Sequence, residues 1–122
     1  MRRSMVMGGL VVSAALAVST VGVATSASPV GSRSNPVKAT TSTSTGFAPR
    51  TVKVTPGARV YFTNVDKARH NAVEDRVTGS PRFRSGAPTT GNFSVKAPRA
   101  VGRYSYICAV HAFMRGTLVV RK

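Results

Sequence analysis

The 122-residue chain reads as an all-β protein, a small Greek-key sandwich or barrel. Three observations lead there. Short segments rich in β-branched and aromatic residues alternate polar with apolar side chains. Glycine, proline and asparagine separate them at short intervals, and beyond residue 46 no apolar repeat of helical period is present.

Taken in order, Thr51-Val52-Lys53-Val54 alternates, and Pro56-Gly57 supplies a turn. Val60-Tyr61-Phe62-Thr63-Asn64 follows, composed of strand formers. Gly79 to Gly91 is polar and irregular, which predicts a long loop. Phe93-Ser94-Val95 is a short strand stopped by Pro98. Tyr104-Ser105-Tyr106-Ile107-Cys108 and Thr117-Leu118-Val119-Val120 are two more. Period two puts Tyr104, Tyr106 and Cys108 on one face, so the thiol points where the aromatic rings point, inward.

The residues before this pattern differ in kind. Arg2 and Arg3 precede an apolar run from Met5 to Val23, which exits through Ala24-Thr25-Ser26-Ala27. A positive start, an apolar middle and a small-residue exit are the layout of a secretory signal, here residues 1–27, with a retained membrane anchor as the alternative. The arginine pair is compatible with twin-arginine export as well as with the general route. Residues 28–46 are rich in Ser and Thr and read as a flexible spacer. One domain, 47–122, remains. At about 75 residues it lies near the lower limit for a self-sufficient core, where a metal or a disulfide often acts as a staple.

Cys108 is the only cysteine, so no disulfide can form within the chain. An exposed thiol would oxidise outside the cell, and the residue is therefore expected to be protected or used. Eighteen Lys and Arg face three acids, for a formal charge of +15. The basic residues are scattered singly, with no recognition helix and no stacking platform, which argues against nucleic acid. Acidic protein partners, anionic lipid or anionic polymers of the cell envelope fit better. Membrane contact is expected only through the signal segment, and the domain is expected to be a monomer.

Between the last two strands lies Cys108-Ala109-Val110-His111-Ala112-Phe113-Met114. Cys108, His111 and Met114 recur every third residue, in a loop short enough to bring their side chains together. A thiolate, an imidazole and a thioether form a soft set suited to copper in both oxidation states. Zinc takes Cys and His but has little use for a thioether. His70 is the only other histidine, and it follows the strand ending at Asn64. It completes a set of four.

With those residues in view, the chain resembles the small blue copper proteins, or cupredoxins, of the amicyanin and plastocyanin kind. The likeness runs from Phe47 to Val120. It includes Phe47-Ala48-Pro49, Val60-Tyr61-Phe62-Thr63-Asn64, His70-Asn71, Gly102 to Cys108 and Gly116-Thr117-Leu118-Val119-Val120. The resemblance implies one type 1 copper ion with His70, Cys108 and His111 in a trigonal plane and Met114 as a weak axial ligand. It implies Asn71 as the neighbour that braces the site. It also implies a partner-docking patch formed by Ala109, Val110, Ala112 and Phe113 around the edge of His111. Ala112 stands where loops of this spacing commonly carry proline, and the region from Val77 to Gly91 matches least. The expected role is an exported one-electron carrier, extracytoplasmic and without enzyme activity, and the copper ligands would make its acidic protein partners redox proteins. Copper delivery or resistance is the alternative. Delivery proteins expose Met-rich or His-rich clusters, and this domain has two histidines and one methionine.

Overall fold

Val52 is buried while Thr51 and Lys53 face solvent, the alternation that a half-covered strand requires. A computed structural model describes residues 29–122, so the expected signal lies outside the described residues. Seven strands are present: β1 (Val37–Ala39), β2 (Gly46–Val54), β3 (Arg59–Asn64), β4 (Val73–Glu74), β5 (Phe93–Lys96), β6 (Gly102–Ile107) and β7 (Arg115–Val120). Among the described residues there is no helix.

The strands form one curled mixed sheet in the order β4-β6-β7-β2-β1-β3-β5. β2 joins its two halves. Its beginning pairs antiparallel with β1 (Ala39 opposite Phe47), and its end runs parallel to β7, from Thr51 opposite Thr117 to Val54 opposite Val120. The register with β7 shifts between Gly46 and Thr51, and Pro49 falls after the residues paired to β1 and before those paired again to β7, where its missing N–H costs no ladder bond. β6 is antiparallel to β7 along its whole length, and β3 is antiparallel to β5.

The spacer expected over 28–46 is corrected by β1. Val37 and Ala39 are both 0% exposed, and β1 also pairs in parallel with β3, Val37 opposite Phe62. Three residues are too few for a period-two pattern to stand out, and one of the two pairings that order them, with β3, comes from a strand distant in sequence. The Ser and Thr residues that suggested flexibility instead build a bonded turn. Thr40 N–H donates to the Gly46 carbonyl, Ser42 N–H to Thr40 Oγ1, and Gly46 N–H to Thr43 Oγ1. The folded domain therefore starts before residue 47.

The core is aromatic at its centre. Tyr106 lies edge-on to Phe47 at 5.0 Å and to Phe62 at 5.8 Å, and Phe62 stacks on Phe93 at 4.9 Å. Such pairs add about 0.5–1.5 kcal/mol each beyond area burial. Gly116 on β7 leaves room for the Tyr106 ring, since a Cβ there would overlap Tyr106 Cζ.

Between β4 and β5 the chain carries no strand, and one ion pair pins this segment. Glu74 is buried, with Arg82 Nε 3.0 Å from both carboxylate oxygens and Arg82 N–H 2.7 Å from Oε1. Arg82 in turn covers the Tyr104 ring at 4.5 Å. Burial alone would raise the Glu74 carboxyl. The hydrogen bonds from Arg82, with the charges of Arg82 and Arg76, outweigh burial and hold it below the ordinary 4.5. A depressed folded value contributes stability that is present above about pH 4.5 and is lost as pH falls through the folded value. Glu74→Gln is therefore expected to lower stability by about 1–3 kcal/mol at neutral pH, less than a fully buried pair because Arg82 is half exposed. Denaturant unfolding at pH 7 and pH 3 checks it: the gap between wild type and variant should narrow at the lower pH. An equal gap at both would remove the carboxylate from the explanation.

Candidate metal centre

β6 delivers Cys108 to the rim of the core. Tyr104, Tyr106 and Cys108 are all buried, with Cys108 at 0% exposure. The loop that follows closes on itself: Cys108 N–H donates to the Met114 carbonyl at 3.1 Å, and Met114 N–H to the His111 carbonyl at 2.9 Å. These bonds turn the chain directly into β7. His111 is half-buried, and Met114 is buried at the end of the same loop.

His70 arrives from the far half of the sheet. After β3 the chain loops back, and His70 exchanges two backbone bonds with Thr89, each 2.9 Å, which fix its main chain. Its ring is fully buried. The Cys108 Sγ lies 4.0 Å from His70 Nδ1 and 3.8 Å from His111 Nδ1, and the three ligand atoms lie within 4.8 Å of one another. Trigonal ligation at bonds of about 2.1 Å to nitrogen and 2.3 Å to sulfur requires roughly 3.8 Å between them. Both sulfur-to-nitrogen distances already have that spacing, and a thiolate with two imidazoles is a donor set that copper accepts.

Asn71, the residue next to His70, is buried and bridges two loops. Its Oδ1 accepts the Ala109 N–H at 2.8 Å, and its Nδ2 donates to the Gly86 carbonyl at 2.9 Å. It ties the residue after Cys108 to the long loop before β5. Ala109, Val110, Ala112 and Phe113 are all exposed, Val110 at 50% and Phe113 at 47%, and the Phe113 ring meets the His111 ring edge-on at 6.1 Å. Arg115, at the exit of the loop, pairs with Asp75 at 2.9 Å.

Sequence reasoning missed Asp66. Its Oδ1 lies 2.8 Å from His70 Nε2, the nitrogen turned away from the cysteine. The Thr41 N–H and hydroxyl are the main cause that holds this carboxylate well below the usual range, and His70 and the Ala68 N–H add to it. A signal was available: one of only three acids stands four residues before one of only two histidines.

A small curled β-sheet that holds one cysteine and two histidines together at one end, half screened from water, is a protein built for a single soft metal ion. The model of the copper-binding proteins of the plastocyanin/azurin family matches residues 36–121 of the chain, which belongs to that family. The family binds copper, and His70, Cys108 and His111 fit a type 1 site. Amicyanin-alpha of Methylorubrum extorquens is 38% identical over 76 residues, spanning 57% of this chain and 59% of that protein. Among solved structures, a purple cupredoxin from Nitrosopumilus maritimus matches with a TM-score of 0.55 at 28% identity, covering 66% of this chain and 87% of the other. Plastocyanin from Dryopteris crassirhizoma matches with a TM-score of 0.51 at 29% identity, covering 62% and 87%. The matched region begins at β1, consistent with the place of that strand in the fold.

Proposed function

We propose that the protein is an exported, extracytoplasmic one-electron carrier and not an enzyme, with His70, Cys108, His111 and Met114 as the ligands of one copper ion. The observation that carries this reading is the asymmetry of the site. Cys108 and His70 are sealed in the core, while His111 opens onto an exposed apolar collar of Ala109, Val110, Ala112 and Phe113. When bound, the ion supplies a Cu(I)/Cu(II) couple.

The chain's own residues do the rest. The Cys108–Met114 backbone bond, the paired bonds of His70 with Thr89, and the Asn71 bridge hold the donors in place, so little moves when the charge changes. Four protein ligands leave no open position for a substrate. The collar excludes water from the contact with a partner, and Lys67 and Arg69 near His70 favour an acidic one. The amicyanin relative supports the same reading. Copper delivery without redox cycling is the second reading. The presence of a single methionine among the described residues favours the carrier.

Purified protein titrated with Cu(II) should give an intense thiolate-to-copper band in the visible, together with a reversible one-electron wave. Cys108→Ser should lose the band entirely. A colourless product, or a band that survives the substitution, would overturn the copper site. An intact band with no reversible wave would favour delivery over electron carriage.

A further inference from the structure

We propose that the turn Thr40–Gly46 is a positioning element for the metal ligands, acting on His70 through the Asp66 carboxylate and on Met114 through Gly46. The inference rests on the reading of His70 and Met114 as ligands and assigns a role to a stretch outside the copper loop.

Both oxygens of Asp66 are committed. Oδ1 meets His70 Nε2 at 2.8 Å and accepts the Ala68 N–H at 3.1 Å. Oδ2 accepts the Thr41 N–H at 2.5 Å, the Thr41 hydroxyl at 2.7 Å and the Thr40 hydroxyl at 3.3 Å. An ionised carboxylate only accepts, so His70 Nε2 must carry the ring proton. Nδ1, the ring's other nitrogen, is the atom that faces the Cys108 sulfur at 4.0 Å. With donors from Thr40 and Thr41 on its far oxygen, the carboxylate is not free to rotate away from the ring.

The other end of the turn reaches the opposite side of the site. Gly46 has φ +77°, and a Cβ built there would overlap Met114 Cγ and lie 2.6 Å from its Cβ and 2.8 Å from its Cα. Arg115 N–H donates to the Thr45 carbonyl at 3.1 Å, and the Thr40 N–H bond to Gly46 closes the turn at 2.8 Å. One short turn thus reaches His70 through Asp66 and Met114 directly. A carboxylate bonded to a ligating imidazole fixes its tautomer and raises its basicity, which favours the more highly charged oxidation state.

Asp66→Asn should weaken Cu(II) binding on the order of tenfold to a hundredfold, weaken Cu(I) binding less, and therefore raise the midpoint potential. Thr41→Val, which keeps the backbone donor and loses the hydroxyl, should shift affinity and potential the same way by less, and Thr41→Ser should restore wild-type values. The decisive readout needs no metal. In metal-free protein, ¹⁵N shifts of the His70 ring should report the Nε2–H tautomer in wild type and Thr41→Ser, and a mixture in Asp66→Asn. An unchanged tautomer together with an unchanged potential in Asp66→Asn would overturn the proposal while leaving the copper site standing. If wild-type protein showed no thiolate-to-copper band, the ligand reading would fail, and with it this role. Should Asp66→Asn not fold, Thr41→Val carries the test, and wild-type potential in that variant would refute it.

Discussion

Gly116→Ala is expected to destabilise the domain by about 2–4 kcal/mol, at the upper end of the overpacking range. A Cβ at this position would overlap Tyr106 Cζ and lie 2.5 Å from its hydroxyl oxygen and 2.8 Å from its Cε2. The ring has nowhere to retreat, since Phe47 lies 5.0 Å, Phe62 5.8 Å and Phe83 6.3 Å from it, centroid to centroid. At about 4–8 °C per kcal/mol for a domain of this size, the melting temperature should fall by about 10–30 °C. The Tyr106 hydroxyl itself is buried without a hydrogen-bond partner, and burial pushes its ionisation up, so it contributes nothing that the clash would spare. Tyr106→Phe alone should therefore be neutral or slightly stabilising, because it removes an unsatisfied polar group. Combining Gly116→Ala with Tyr106→Leu should recover part of the loss, a coupling expected of residues that touch. Thermal unfolding of the three variants in metal-free form checks this. A melting temperature for Gly116→Ala within a few degrees of wild type would show that the ring is not held where it lies.

The same crowding shows what was legible in the sequence. Tyr104, Tyr106 and Cys108 alternate so regularly that their inward direction followed from period two alone, and burial agrees. The cluster of His70, Cys108 and His111 could be assembled because those residue types occur so rarely in this chain. β1 was not legible, and Asp66 only through its spacing to His70, for a common reason. β1 is a strand because Phe62 and Phe47 lie beside it, and Asp66 is a brace because Thr41 folds over it. The parallel pairing with Phe62 and the cover from Thr41 both come from residues far along the chain. Charge was misleading in a related way. All three acids are paired within the chain, Asp66 with His70, Glu74 with Arg82 and Asp75 with Arg115, so among the described Lys and Arg side chains only Arg82 and Arg115 have a carboxylate partner. That sharpens the expectation of an acidic partner, whose association should weaken as salt rises.

Gly46→Ala is expected to be comparably damaging, by a different route. Its φ of +77° costs an L-residue about 1–2 kcal/mol. Its new Cβ would also press on the Met114 side chain and main chain at once. The clash with the main chain decides the outcome, because a side chain can change rotamer but the Met114 backbone is tied to Cys108 and His111. Relief must come from moving the copper loop or opening the Thr40–Gly46 turn. A total loss of about 2–5 kcal/mol follows from adding backbone strain to overpacking. Unlike Gly116→Ala, whose damage stays in the core, this change should also alter the copper-loaded protein, shifting its visible band and midpoint potential as Met114 is displaced. Met114→Leu in the same background should not restore stability, since a shorter thioether-free side chain leaves the backbone clash in place. If Gly46→Ala melted like wild type and kept its spectrum, the close approach of this turn to Met114 would be wrong. A loss of stability with an unchanged spectrum would instead mean that the turn supports the fold without setting the position of Met114 at the metal centre.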